Sequence, residues 1–188
     1  MKSNWKLLYN PFTKVAGWKA FFIGLPIVCL TVVLGWLTGT AAYGLEIKSG
    51  GDFPLWEGFL ATGTGLACTI VVMYLIGLIF SKGVRFQDIA GTVMLARAPY
   101  ILSPLLGLVG GGNFGVEVME AVRTLDLSLI DWGRLGWISI ISLVISVWAI
   151  AMLWHAFRIS TNLKGTKAVL LFILALLLSE IIMLVILW

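Results

Sequence analysis

The sequence predicts an all-α membrane protein, a five-transmembrane-helix bundle with its N-terminus cytoplasmic and its C-terminus outside. Three observations predict it. Of the 188 residues, 60% are hydrophobic and only 12% are charged, about half the charge of a soluble domain of this size. The charges crowd into short segments separating five apolar runs, each close to the ~20 residues that a spanning helix needs. The basic residues are unequally divided between alternate connections, as the positive-inside rule requires of a spanning chain.

The N-terminal segment, residues 1–19, mixes Lys2, Lys6, Lys14 and Lys19 with aromatic residues. Trp5, Leu8 and Tyr9 share a helical face, Asn10-Pro11 breaks the turn, and Phe12, Val15 and Trp18 fall on one side of a second helix. This reads as an interfacial stretch anchored by Trp5, Lys6, Lys14 and Trp18. The first span covers 21–43. Its apolar run exceeds the ~7–15 residues of a cleaved signal core, so it is read as a retained anchor. The remaining spans cover 59–80, 89–109, 135–157 and 168–188, and the third is the least apolar. None shows the alternation of a strand, and a barrel needs many more segments. Between the third and fourth spans, Val116, Met119, Val122 and Ile130 form one apolar stripe, with Glu117, Glu120 and Arg123 elsewhere. A short helix on the outer surface follows from that pattern.

Nine basic residues precede the first span or lie in the second-to-third and fourth-to-fifth connections, against three in the other two connections. The nine face the cytoplasm by the positive-inside rule. Seven of the nine acidic residues lie in the two outer connections, in agreement.

Two charges remain inside the spans. Arg97 lies ~13 Å beyond Asp88 along the third span, and Glu180 ~20 Å beyond Lys167 along the fifth. Both spans run in the same direction, so the depths differ by only ~7 Å. A charge in mid-bilayer costs at least ~2.5 kcal/mol, and an Arg97–Glu180 contact is the expected relief. Such a pair either clamps two spans or forms a polar site on a substrate path. Pro99 and Pro104 follow Arg97. They strip donors from the carbonyls of Leu95 and Tyr100 and so break the third span, and Ser103 is placed to repair it. Small residues four apart, such as Gly35 and Gly39 or Gly107 and Gly111, mark faces for close helix packing, within the chain or between two copies in a homo-oligomer.

Enzyme chemistry lacks its parts. His155 is the one histidine, and neither H-E-x-x-H nor G-x-S-x-G occurs. Cys29 and Cys68 lie singly in apolar runs, so no metal site, no catalytic residue and no cofactor is expected. The basic residues are too dispersed for a nucleic-acid face. The partners expected are the lipid bilayer and other membrane proteins.

The stretch Ser81-Lys82-Gly83-Val84-Arg85-Phe86, leading into a span bearing Pro99, resembles the Yip family. The last inside loop, with its Lys167-Ala168 step, and the opening Asn10-Pro11-Phe12 are also similar. The resemblance covers most of the chain and implies a single Yip-like domain over 1–188 with five spans. Eukaryotic members bind prenylated Rab GTPases through a longer cytoplasmic domain with an Asp-Leu-Tyr-Gly-Pro motif. That motif is missing here, which argues against Rab binding and towards a prokaryotic-type member in the cytoplasmic (inner) membrane. The function expected is non-enzymatic, organising or binding other membrane components. The alternative is a small transporter or channel lined by Arg97, Glu180 and the broken third span.

Overall fold

Apolar length carries over directly into five long helices. In the computed structural model, which describes residues 6–49, 53–110 and 114–187, five helices are long and apolar enough to cross a membrane. They are α2 (Gly17–Thr38), α3 (Leu55–Phe80), a broken third unit over Phe86–Gly110, α7 (Trp132–Thr161) and α8 (Gly165–Leu187). The third unit comprises α4 (Phe86–Ala96), a 3-10 segment over Ala98–Leu102 and α5 (Ser103–Gly110). Helix ends follow local chemistry. The Asp131 side chain accepts the Arg134 N–H at 3.1 Å and caps α7, which ends at Asn162 in a left-handed conformation.

The least apolar span is the most buried of the five. Its small residues explain this, because close backbone approach is what packs helices together in lipid. A Cβ on Gly24 of α2 would sit 2.7 Å from the Leu95 nitrogen, and one on Gly91 of α4 would strike the Gly17 carbonyl. Ile89, Val93 and Ala96 thereby enter the main core with Met73 of α3 and Leu153 and Phe157 of α7. A second core gathers Tyr100, Leu106, Ile138 and Ile145 nearer the other end.

The first span stops earlier than the sequence reading has it. α2 ends at Thr38, where Gly39 turns left-handed at φ +65 and gives its N–H to the Gly35 and Trp36 carbonyls. Residues assigned to the span instead form β1 (Thr40–Tyr43), paired antiparallel with β2 (Glu46–Ser49). The turn runs through Gly44 at φ +56, a conformation that glycine adopts freely. This hairpin folds back into the bundle. Gly44 packs on Gly65 of α3, ten residues or ~15 Å from the start of that helix. Its tip thus lies beside the middle of α3, a helix of 26 residues.

Two surface elements also differ from expectation. The N-terminal segment forms α1 (Lys6–Tyr9) and a 3-10 turn over Pro11–Thr13. Phe12 is buried in the main core while Trp18 is exposed, so they do not share a side. The segment lies along α7, where the Trp148 indole donates to the Leu8 carbonyl at 2.9 Å. Between Gly110 and α7 stands α6 (Phe114–Thr124). It meets the bundle through Phe114 and Val118, with Ala121 buried on the same side, whereas Val116, Met119 and Val122 are exposed. Ile130 is buried separately. The face that docks is set by the neighbours available, and the stripe read from the sequence is the one left open.

Candidate functional site

The hairpin tip lies between Arg97 and Glu180, the two charges within the long apolar helical units. Arg97 caps the C-terminus of α4 and directly precedes the 3-10 segment, whose second residue is Pro99. Its side chain is 6% exposed. One guanidinium nitrogen, Nη1, donates to the Gly44 carbonyl, and Nη2 lies 3.5 Å from the Thr69 hydroxyl. The guanidinium carbon is 5.4 Å from the centre of the Tyr100 ring. Its Nε is buried and has no partner among the described residues.

Glu180, on α8, accepts the Leu45 N–H at 3.1 Å. A Cβ on Gly44 would lie 2.6 Å from its Oε1, so a side chain there would push the carboxylate aside, and the φ of +56 favours glycine as well. The Leu45 carbonyl takes the Tyr100 hydroxyl at 3.2 Å and the Ser146 hydroxyl at 3.5 Å. The Thr62 hydroxyl donates to the Ala42 carbonyl at 3.4 Å. Side chains from α3, the broken third span, α7 and α8 therefore converge on one re-entrant turn. Non-helical backbone inside an apolar bundle is tolerated where the surrounding protein satisfies it.

The expected direct Arg97–Glu180 contact is replaced by a bridge. Among the described residues the ion pair within reach is Arg134–Glu117 at 3.6 Å, and Arg97 and Glu180 form none. Adjacent residues of the turn offer a carbonyl to the cation and an N–H to the anion. Buried Arg97 and half-buried Glu180 are thus each hydrogen-bonded, which is the condition for tolerating such groups in a low dielectric. A cavity of about 10 Å³ adjoins the bridge, lined by Thr31, Ala42, Thr62, Arg97 and Tyr100 among others. That is room for roughly one water.

Pro99, Ser103 and Pro104 are all buried. The Ser103 hydroxyl donates to the Tyr100 carbonyl at 2.8 Å, and the Ser103 backbone N–H donates to it as well, in place of the donor that Pro104 lacks. Among the interfacial anchors, Lys14 and Trp18 are exposed, with Trp18 edge-on to Phe21 at 5.6 Å. Lys6 opens α1, and Trp5 lies outside the described residues, as do Gly111 and Trp188. Sequence reasoning missed Gly44, Leu45, Thr69 and Tyr100. The turn acts through its main chain, and Gly44 within Tyr43-Gly44-Leu45-Glu46 was the one available signal. Comparison of the chain with protein-family models, with curated proteins and with solved structures finds no significant match.

Proposed function

We propose that the protein is a non-enzymatic integral membrane protein of the Yip type that organises or binds other membrane components. It sits in a prokaryotic cytoplasmic membrane, with the N-terminus inside and the hairpin entering from outside. The distribution of basic residues supports that orientation. One observation carries the functional reading: Arg97 and Glu180 are both bonded to the hairpin backbone. Intramembrane charges ordinarily point to a substrate path. Here each of the two bonds an internal element, which favours the clamp and leaves the outward faces for partners.

A second reading, a small transporter or channel, is favoured by the meeting of a proline-broken span and a re-entrant turn at half depth. Broken helices line binding sites in transporters. Reconstitution into liposomes separates the two. The binding reading expects no flux across a broad panel of ions and solutes. Flux abolished by Glu180→Gln overturns it in favour of transport.

A further inference from the structure

α6 touches the bundle along one narrow face and leaves two chemically opposed flanks open. At 3.6 residues per turn, Val118 and Ala121 lie within about 40° of Phe114 around the helix axis. Phe114 and Val118 pack in the second core, and Ala121 is fully buried beside them on that face. Val122 and Met119 fall about 80° and 140° to one side, and Glu117 and Glu120 about 60° and 120° to the other. Val116 and Arg123 point outward, about 160–180° from Phe114. Exposure agrees, at 48%, 56% and 53% for Val116, Met119 and Val122.

The helix also lies at a defined level. Phe114 packs in one cluster with Ile138 of α7, six residues or ~9 Å along from Trp132. Arg134 of α7 donates to the Gly110 carbonyl, stacks 4.9 Å over the Phe114 ring and approaches Glu117 at 3.6 Å. α6 is thus level with the first two turns of α7. That helix has 30 residues, ~45 Å at helical rise, against a hydrocarbon core of ~30 Å. Its first turns therefore belong to the headgroup region. Trp132 and Trp137, both exposed there, are the residue type that gathers at that level. The apolar flank is not isolated, since exposed Leu125 and Leu129 carry it on towards Trp132.

We infer that α6 is an interfacial helix, whose Val116, Met119 and Val122 flank is seated in the outer lipid leaflet with Leu125. Arg123 reaches a lipid phosphate, and Glu117 and Glu120 face water. An apolar and an acidic flank split along the axis suit a helix half-sunk at a water boundary. The segment's acids, Glu117, Glu120, Asp126 and Asp131, outnumber Arg123 and Arg134, so the lipid it fits is zwitterionic rather than anionic. The inference rests on the five-span reading.

The test uses the full chain with Cys29→Ser and Cys68→Ala, in phosphatidylcholine vesicles. Single nitroxide labels are placed at Met119, Leu125, Glu120 and, as a control in the middle of α7, Leu143. Collisions with oxygen and with a water-soluble nickel chelate are compared. The expected result is oxygen-favoured relaxation at positions 119, 125 and 143 and a reversed ratio at 120. Nickel access at 143 overturns the span reading and the inference with it. Oxygen preference at 143 with nickel access at 119 and 125 overturns the inference alone. Protein burial of that flank, with neither reagent reaching 119 and 125, overturns it too. A second measurement needs no cysteine changes: diazirine-bearing phosphatidylcholine acyl chains should label the peptide carrying Met119 and Val122. Labelling of α7 without labelling of that peptide refutes the seat.

Discussion

Exchanging the two charges at the hairpin, Arg97→Glu together with Glu180→Arg, separates a bridged arrangement from a direct ion pair. In the native protein the guanidinium donates to the Gly44 carbonyl and the carboxylate accepts the Leu45 N–H. After the exchange a carboxylate faces the carbonyl and a guanidinium faces the N–H, so acceptor meets acceptor and donor meets donor. Each lost bond to a charged group is worth about 1.5–3 kcal/mol. Two of them put the cost at about 3–6 kcal/mol, a large part of the ~5–15 kcal/mol that holds a typical protein folded. A direct pair would survive the exchange nearly unchanged. Glu180→Gln alone keeps an oxygen for Leu45 and converts a charge-assisted bond to a neutral one, costing about 1 kcal/mol. Unfolding in mixed detergent micelles, followed by far-ultraviolet circular dichroism, measures all three proteins. An exchanged variant as stable as the native chain, or a Glu180→Gln variant less stable than the exchanged one, refutes the bridge.

Two further outcomes are expected. Gly91→Ala drives a Cβ into the Gly17 carbonyl and to 3.2 Å from the Phe21 nitrogen, and overpacking of this kind costs about 1–3 kcal/mol. Gly63→Ala in α3 meets nothing within 4 Å. It should be neutral or stabilising by up to about 1 kcal/mol, since alanine is the better helix former; unfolding midpoints of the two variants in the same micelles check the contrast. At the surface, the Ser128 hydroxyl and N–H donate to Asp126 at 2.6 and 3.1 Å and hold its carboxyl below the usual range. A depressed folded pKa makes this contribution present above the unfolded value and lost as pH falls through the folded one. Carboxyl chemical shifts should show Asp126 titrating low, and Ser128→Ala should move it up towards the ordinary carboxylate value.

Much of this architecture is legible in one dimension. Five apolar runs become five long helices because a buried backbone must satisfy itself, and a helix does so within its own segment. The break in the third span is equally legible. Pro99 and Pro104 remove local donors, and the Ser103 hydroxyl reaches the Tyr100 carbonyl three residues back. The hairpin is not legible, because each strand has four residues, and Thr40-Ala41-Ala42-Tyr43 simply extends the apolar run before it. The amphipathic character of α6 is also plain in the chain, but not the side that docks, since Phe114 and Ala121 are buried only by what stands opposite them.

Residue order therefore settles what each stretch needs: helix for the oily runs, a break at the prolines, and some partner for Arg97 and for Glu180. Which partner those charges find depends on where the chain returns after α2. A side chain announces its charge in the sequence, while every peptide unit carries the same carbonyl and N–H. Gly44 and Leu45 become the ligands of two charges because folding brings their main chain between α4 and α8.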